Sequence, residues 1–372
     1  MKVERETAWF ALPFTAGVLM AVYSGAGISS GHIYSPIAAL ILVVICLYAL
    51  IHPSGRSSGR AVLTILTGAA ALGAGMVCGF TADSLSISAM RSDISIYAEE
   101  YGAAMQAAID RIPFADKDCN ALAKALLTGE RSDIPKEIVS AFRDSGASHI
   151  LALSGLHLGI IYSIIAFLTS VFGNGRKAKM IRAAICVTSC GFYALATGAG
   201  PSIVRALIFI FLAESSRLIY RHITTGQLLF SSLIIQLTID PLAISSVSFQ
   251  LSYAAMAGIA FILPILKRLW PGSIYKDRRA VRWIRKIWES AAMSISCQLT
   301  TAPLAYLYFG SFPSCFLISN LISLPLTGIV IPAVIFTLIL HCLGICPDFV
   351  IEATGSLISA LIGSLDIIAS MG

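Results

Sequence analysis

The sequence predicts an all-α, polytopic membrane protein, a transmembrane helical bundle of about ten or eleven spans. Three observations support this fold class. The chain has a mean hydropathy of +0.83, and 57% of its 372 residues are hydrophobic. Only 12% of the residues are charged, whereas soluble domains usually contain roughly 25%. Apolar stretches of about 17 to 25 residues recur along the chain, long enough for helices to cross a bilayer.

The predicted spans follow one another in chain order. We place them at residues 8–28, 34–52, 61–82, 148–172, 180–198, 201–219, 225–240, 247–266, 290–309, 314–342 and 349–370. The first is expected to be a retained helix, because no persuasive cleavage site ends it. The stretch 314–342 is too long for one straight span and carries Pro325 and Pro332, which predicts a broken helix or two short ones.

Lys and Arg residues concentrate in alternate loops, and cationic loops favour the cytoplasm. The intervening loops carry neither residue type: 29–33, 197–200, 241–246 and 310–313. This alternation predicts a cytoplasmic N-terminus. The C-terminus is then expected outside if 314–342 crosses the membrane once.

The segment 83–147 is the only sizeable outer segment predicted. Its first part has apolar residues at helical spacing, and two short helices are expected after it. One should follow Asp116, and the other should open at Asp133 and Pro135 and close near Gly146. We expect amphipathic helices that lie on the outer membrane surface or cap the bundle.

The sequence predicts no catalytic residues, no metal site and no other cofactor. Eight of the nine cysteines lie within or beside apolar spans, and the six histidines are scattered. Neither a disulfide framework nor a cluster of metal ligands is therefore expected. No nucleophile, base and orienting group recur at motif spacing.

Polar residues interrupt the apolar sequence in several places, and such groups at membrane depth mark a transport path or a buried pairing. In the run GASHILALSGLHLGII, residues 146–161, Ser154 and His157 are candidate path residues. The alternatives are a packing hydroxyl for Ser154 and a carbonyl-bonded imidazole for His157. Gly155 and Gly159 have the spacing by which membrane helices approach closely.

A second interruption contains Gly198, Gly200 and Pro201, which are expected to end one helix and open the next. A helix N-terminus favours anions, and Arg205, one turn further on, would add a guanidinium suited to phosphate. The alternative is that Arg205 extends outward to water or pairs with a buried acid.

Three further candidate path residues accompany prolines or polar neighbours. Gln250 could face the path or bond across helices. Gln298 precedes Pro303, and Asn320 precedes Pro325. Both prolines are expected helix breaks, because irregular backbone at membrane depth is tolerated when it is buried or lines a cavity.

Five blocks of the sequence together resemble the ComEC family. They are LLTGERSDIPKEIVSAFRDSG, GASHILALSGLHLGII, TGAGPSIVRAL, DPLAISSVSFQLSYAAMAGIA and the segment 297–333. The blocks occur in the expected order and cover most of the chain beyond residue 121. In this family, polytopic channels pass single-stranded DNA across the bacterial cytoplasmic (inner) membrane during competence.

The resemblance implies N-terminal transmembrane helices at 1–82, the outer segment at 83–147 and a channel core at 148–372. It implies single-stranded DNA and membrane lipid as partners. No nucleotide-binding loop of the GxxxxGK[ST] type occurs. A cytoplasmic helicase-like motor, an extracytoplasmic DNA receptor and a separate nuclease are therefore also expected.

Two departures from the family pattern leave other functions open. The helical pattern of 83–147 leaves no room for the oligonucleotide-binding barrel of many members, and no ligand cluster of a metallo-β-lactamase-like domain is present. The outer segment also has eleven acidic residues against seven basic ones, so it should repel bare DNA. The alternatives are a transporter of a small anionic solute and a membrane scaffold for separately encoded domains.

Overall fold

The computed structural model describes residues 2–23, 59–80, 88–173, 175–220, 222–270, 279–310 and 315–371. All regular secondary structure in these ranges is helical, which confirms the predicted all-α class. The helices are α1 (Lys2–Tyr23), α2 (Gly59–Phe80), α3 (Ser88–Asp110), α4 (Lys117–Thr128), α5 (Lys136–Asp144), α6 (Ser148–Leu151), α7 (Gly155–Leu168), α8 (Arg176–Ala196), α9 (Pro201–Leu218), α10 (Thr225–Ile239), α11 (Val247–Ala257), α12 (Leu263–Arg268), α13 (Arg279–Phe309), α14 (Phe316–Cys342) and α15 (Asp348–Ala369). A π-helical turn, Gly258–Ile262, joins α11 to α12.

Each predicted span except 34–52 falls on helices of the described part, and 34–52 lies outside the described residues. Five helical segments there are long and apolar enough to cross a membrane: Gly155–Phe172, Arg176–Ala196, Val247–Arg268, Phe316–Cys342 and Asp348–Ala369. Three shorter apolar helical segments accompany them: Thr7–Tyr23, Thr67–Phe80 and Thr225–Ile239. The chain is therefore an integral membrane protein.

The chain divides into two compact units, one formed by residues 1–93 and 211–253. In this first unit, the backbones of α1 and α2 are in direct contact. A Cβ added to Gly17 would lie 2.1 Å from a carbonyl oxygen of α2, and one added to Gly75 would lie 2.0 Å from the carbonyl oxygen of Phe14. Only glycine permits this approach, which is the small-residue packing typical of membrane helices.

The second unit comprises residues 94–210 and 254–372. Its largest hydrophobic cluster joins α4, α5, α14 and α15 through side chains such as Leu122, Phe142, Ile331 and Leu361. Nine of the twelve residues of α4 are buried. The burial of α4 by other helices favours the second of the two expected arrangements, in which the short helices cap the bundle, and their position outside the membrane stays a prediction.

Two expected helix breaks are absent. α13 continues through Pro303, and α14 continues through Pro325 and Pro332 as one helix of 27 residues. Proline removes one helical hydrogen bond but is tolerated within membrane helices, where neighbouring groups and small adjustments satisfy the freed carbonyl. The expectation of a broken or doubled helix at 314–342 is therefore wrong.

Candidate functional site

The N-terminus of α7 is held by a local network between Ser154 and His157. The Ser154 hydroxyl accepts the backbone N–H of Leu156 at 3.3 Å, and the backbone N–H of Ser154 donates to Nδ1 of His157 at 3.3 Å. This reciprocal arrangement is a capping box with histidine in the role that glutamate or glutamine usually takes. Ser154 is therefore the N-cap of α7, whereas the sequence predicted either a path residue or a packing hydroxyl.

The network leaves the other ring nitrogen of His157 available. Because Nδ1 accepts a backbone N–H, the neutral imidazole carries its proton on Nε2. His157 is only 1% exposed, and Nε2 has no hydrogen-bond partner in the structure. The carbonyl bond considered from the sequence is thus not made, and a buried donor remains that an acceptor from outside the chain could satisfy.

Arg205 is buried against the first residue of α7. Its side chain is on α9 and is 8% exposed, with the guanidinium 5.8 Å from the centre of the Phe209 ring. The Nη2 atom lies 2.9 Å from the position that a Cβ of Gly155 would occupy. The outward extension considered from the sequence is therefore not adopted, and the absence of a side chain at residue 155 makes room for this charge.

The placement of Arg205 concentrates positive potential at one point. The N-terminus of a helix carries a partial positive charge from its free N–H groups. A guanidinium at the same end adds a full positive charge in a buried setting. Such an arrangement is suited to a phosphate or carboxylate, which would bind both groups.

The turn between α8 and α9 sets the start of the helix that carries Arg205. Gly198 has a φ of +80°, and Ala199 donates its N–H to the Ala194 carbonyl oxygen at 2.7 Å, which completes a Schellman C-cap. α9 then begins at Pro201. Two amides of its first turn donate to the carbonyl oxygen of Gly200 at 2.9 and 3.0 Å. The first turn of α7 is used in the same way, because two of its amides donate to the Ser154 carbonyl oxygen at 3.1 and 3.5 Å. The group suited to an anion is therefore the guanidinium of Arg205, which both helix ends approach.

Three further candidate path residues and Pro303 lie on other helices. Gln250 lies in the first unit, where its Nε2 donates to the Ile244 carbonyl oxygen at 2.9 Å. In the second unit, Gln298 is half-buried on α13, Pro303 is exposed, and Asn320 is 9% exposed on α14. Within the second unit, Ser154 contacts His157, and Gly155 contacts Arg205.

An open groove of about 610 Å³ runs between α7 and α14. Gly155, Gly159 and Ser163 line one wall, and Gly328 and Pro332 line the other. A Cβ added to Gly159 or Gly328 would meet nothing within 4 Å. Close helix packing was expected at Gly159, but the structure shows no protein atom within 4 Å of a Cβ at this position.

The contact between Gly155 and Arg205 was missed from the sequence, and so was a polar face on α14. Ser319, Ser323 and Thr327 recur every four residues and are all fully buried. The spacing was a usable signal, since residues four apart share a helix face. Within the described ranges, no group of three or more His, Cys, Asp or Glu residues is placed to hold a metal ion.

Comparison with known proteins places the chain in one family. The model of the family described as Competence protein matches residues 126–372, about two thirds of the chain. The Escherichia coli protein named "Uncharacterized protein YcaI" is 27% identical over 273 residues, which is 70% of this chain and 33% of that protein. "ComE operon protein 3" of Bacillus subtilis is 24% identical over 222 residues, 60% of this chain and 26% of that protein.

A third relative is "Competence protein ComA" of Neisseria gonorrhoeae, 25% identical over 209 residues, 55% of this chain and 28% of that protein. The chain thus spans about a quarter to a third of the length of these relatives. No solved structure matches it. The match over residues 126–372 confirms the resemblance first seen in the five sequence blocks, and the chain belongs to the competence protein family.

Proposed function

We propose that this protein is a channel for single-stranded DNA in the bacterial cytoplasmic membrane and acts during DNA uptake. The observation that carries the proposal is the buried guanidinium of Arg205 at the N-terminus of α7. Membership of the competence family and the similarity to "Competence protein ComA" support it. The protein contributes passage and no catalysis.

In this proposal the backbone phosphates of the strand pass the site one after another. Arg205 contributes the positive charge of its guanidinium, the first turn of α7 contributes its positive end, and Nε2 of His157 offers a hydrogen-bond donor. Three contacts of different kinds hold a phosphate without enclosing it. This is what conduction requires, because each phosphate must leave as readily as it arrives.

The energy for transport and the first capture of DNA are assigned to partners. A cytoplasmic helicase-like motor would pull the strand, and a separate nuclease would remove its complement. An extracytoplasmic receptor would bring DNA to a segment whose acidic residues outnumber its basic ones by eleven to seven. The N-terminus is placed in the cytoplasm.

The acidic excess of the outer segment also favours a second candidate, a transporter of a small anionic solute that uses the same Arg205 site. A small anion would need no receptor, and a single guanidinium would suffice to bind it. Only the DNA channel should depend on a cytoplasmic DNA motor. A scaffold for separately encoded domains would not depend on Arg205 at all.

The test is uptake of labelled DNA into the cytoplasm of a strain that lacks this protein. The strain is complemented with wild type, Arg205→Ala, Arg205→Lys or the control Arg143→Ala at matched membrane abundance. Arg143 is an exposed arginine paired with Asp144. We expect wild type and the control to restore uptake, Arg205→Ala to abolish it, and Arg205→Lys to restore part of it. Normal uptake without the protein would refute the proposal.

A further inference from the structure

The first half of α14 buries a polar face in a helix that is otherwise strongly apolar. Ser319, Ser323 and Thr327 are fully buried, and Asn320 beside them is 9% exposed. Residues 319, 323 and 327 lie in line along the helix. We call these four residues the polar face of α14. The helix Phe316–Cys342 contains no Lys, Arg, Asp or Glu, so this face is uncharged.

Most of the hydrogen-bonding groups on this face are unsatisfied. The hydroxyls of Ser319 and Thr327 and Oδ1 of Asn320 are buried without a hydrogen-bond partner in the structure. Ser323 donates only to its own helix, to the carbonyl oxygen of Ser319 at 2.6 Å. Burying such groups without partners is unfavourable, and lipid cannot satisfy them.

The second half of the same helix shows how a structural hydroxyl behaves. The Thr337 hydroxyl donates to the Ala333 carbonyl oxygen at 2.9 Å and lies 2.8 Å from the Thr354 hydroxyl of α15. It is therefore fully used in holding two helices together. Thr327 has neither kind of bond, although it is buried to the same extent. The two threonines differ in what their surroundings provide, which indicates different roles.

We propose that the polar face of α14 lines an aqueous passage through the second unit. Water satisfies its hydroxyls and its amide oxygen when the passage is open, and it is closed to solvent in the present conformation. Resting on the proposed function, we assign this wall to the sugar and base edges of a DNA strand. The uncharged polar face of α14 forms transient hydrogen bonds with the sugar and base edges, while Arg205 binds the phosphates.

The first experiment measures the reactivity of single cysteines in cells that take up DNA. Ser323→Cys and Thr327→Cys are compared with Ile322→Cys and Ile329→Cys, whose side chains are exposed on α14. The background has its native cysteines replaced and is checked for uptake. A water-soluble, charged thiol reagent reacts with thiolates, which form in water and not in lipid.

We expect modification at 323 and 327, little at 322 and 329, and slower modification at 323 and 327 while a strand is held in transit. Equal reactivity at all four positions, in protein of normal membrane abundance, would overturn the passage. Unchanged modification with a strand in transit would overturn the contact with DNA. If wild type imports no DNA while 323 and 327 still react, the proposed function fails and the aqueous passage stands.

The second experiment separates passage from packing with two isosteric substitutions. Thr327→Val removes an unpartnered hydroxyl, so the melting temperature should stay the same or rise, whereas DNA uptake should fall about two- to tenfold. Thr337→Val breaks the bond to Thr354, so the melting temperature should fall, whereas uptake per folded molecule should not change. Unchanged uptake by Thr327→Val would contradict the proposal.

Discussion

Replacing Gly155 with alanine should displace the guanidinium of Arg205 while α7 remains folded. The new Cβ would lie 2.9 Å from Nη2 of Arg205 and 3.4 Å from the Cβ of Ala206. The second distance is an ordinary contact, and the first is too short. Because Nη2 is the end of a flexible side chain, the guanidinium can retreat and the helix need not move. The expected outcome is a folded protein with a displaced charge.

The size of the effect follows from what a displaced guanidinium loses. Ordinary contacts of this kind are about 3.5–4 Å, so Arg205 must retreat by about 0.5–1 Å. A hydrogen bond to a charged group contributes about 1.5–3 kcal/mol. Loss of one such bond to a phosphate corresponds to a decrease in DNA uptake of about tenfold to a hundredfold. The decrease should be smaller than that of Arg205→Ala, which removes the charge altogether, and the capping box of α7 should stay intact.

Gly159→Ala is the matched control, one helical turn further along the same helix. A Cβ there meets nothing within 4 Å, and alanine is a better helix former than glycine by about 0.5–1 kcal/mol. We expect unchanged uptake and unchanged or higher stability. The assay is uptake of labelled DNA at matched membrane abundance, together with the melting temperature of the purified protein. Full uptake by Gly155→Ala, or equal losses in both variants, would refute the reasoning.

Two further predictions concern stability. Burial alone would lower the pKa of Lys124, but its hydrogen bonds to two aspartates raise that pKa, while Lys124 holds the pKa of Asp133 below its usual range. The ion pair between Lys124 and Asp133 should therefore stabilise the fold between about pH 4 and pH 10. In wild type the melting temperature should decline outside this range, and in Lys124→Met this decline should be smaller. An unchanged pH profile would count against the pairing. The second prediction concerns Gly75→Leu, which would place a Cβ 2.0 Å from the Phe14 carbonyl oxygen. This substitution should lower the free energy of unfolding by about 1–3 kcal/mol or more, measured by thermal unfolding. Gly68→Ala is the control and should not lower it, because the new Cβ would make an ordinary contact at 3.8 Å.

The helices were largely predictable because a helix that crosses a membrane requires a run of apolar residues of similar length. The caps were also readable. Asp116 accepts the N–H of Asp118 at the start of α4, and Gly146, with a φ of +82°, follows α5 near its end. Proline was a poor guide, since Pro303 and Pro325 lie inside continuous helices. Whether a proline breaks a helix depends on neighbouring groups, which the local sequence does not specify.

The sequence predicted which residues belong to the candidate site, but it did not predict which of them contact each other. Arg205 and His157 stood out because charge and imidazole are rare at membrane depth. The sequence could not indicate that Gly155 leaves room for Arg205, because the two residues are fifty positions apart. Glycines spaced by four were read as packing in α7, whereas the backbone-distance contact involves Gly75 in α2. Spacing alone does not reveal which face of a helix meets a partner.

In the proposed function, a single strand of DNA passes the N-terminus of α7. The most direct measurement replaces Leu156, which is 38% exposed and adjoins the Arg205 site, with a photoreactive residue. A labelled strand is stalled in transit by a bulky group at its trailing end, and the cells are irradiated. The same residue at Phe336, which is exposed on α14, is the control. We expect a crosslink to the strand at 156 and none at 336. Cells that take up DNA normally with no crosslink at 156, or with equal crosslinks at both positions, would contradict it.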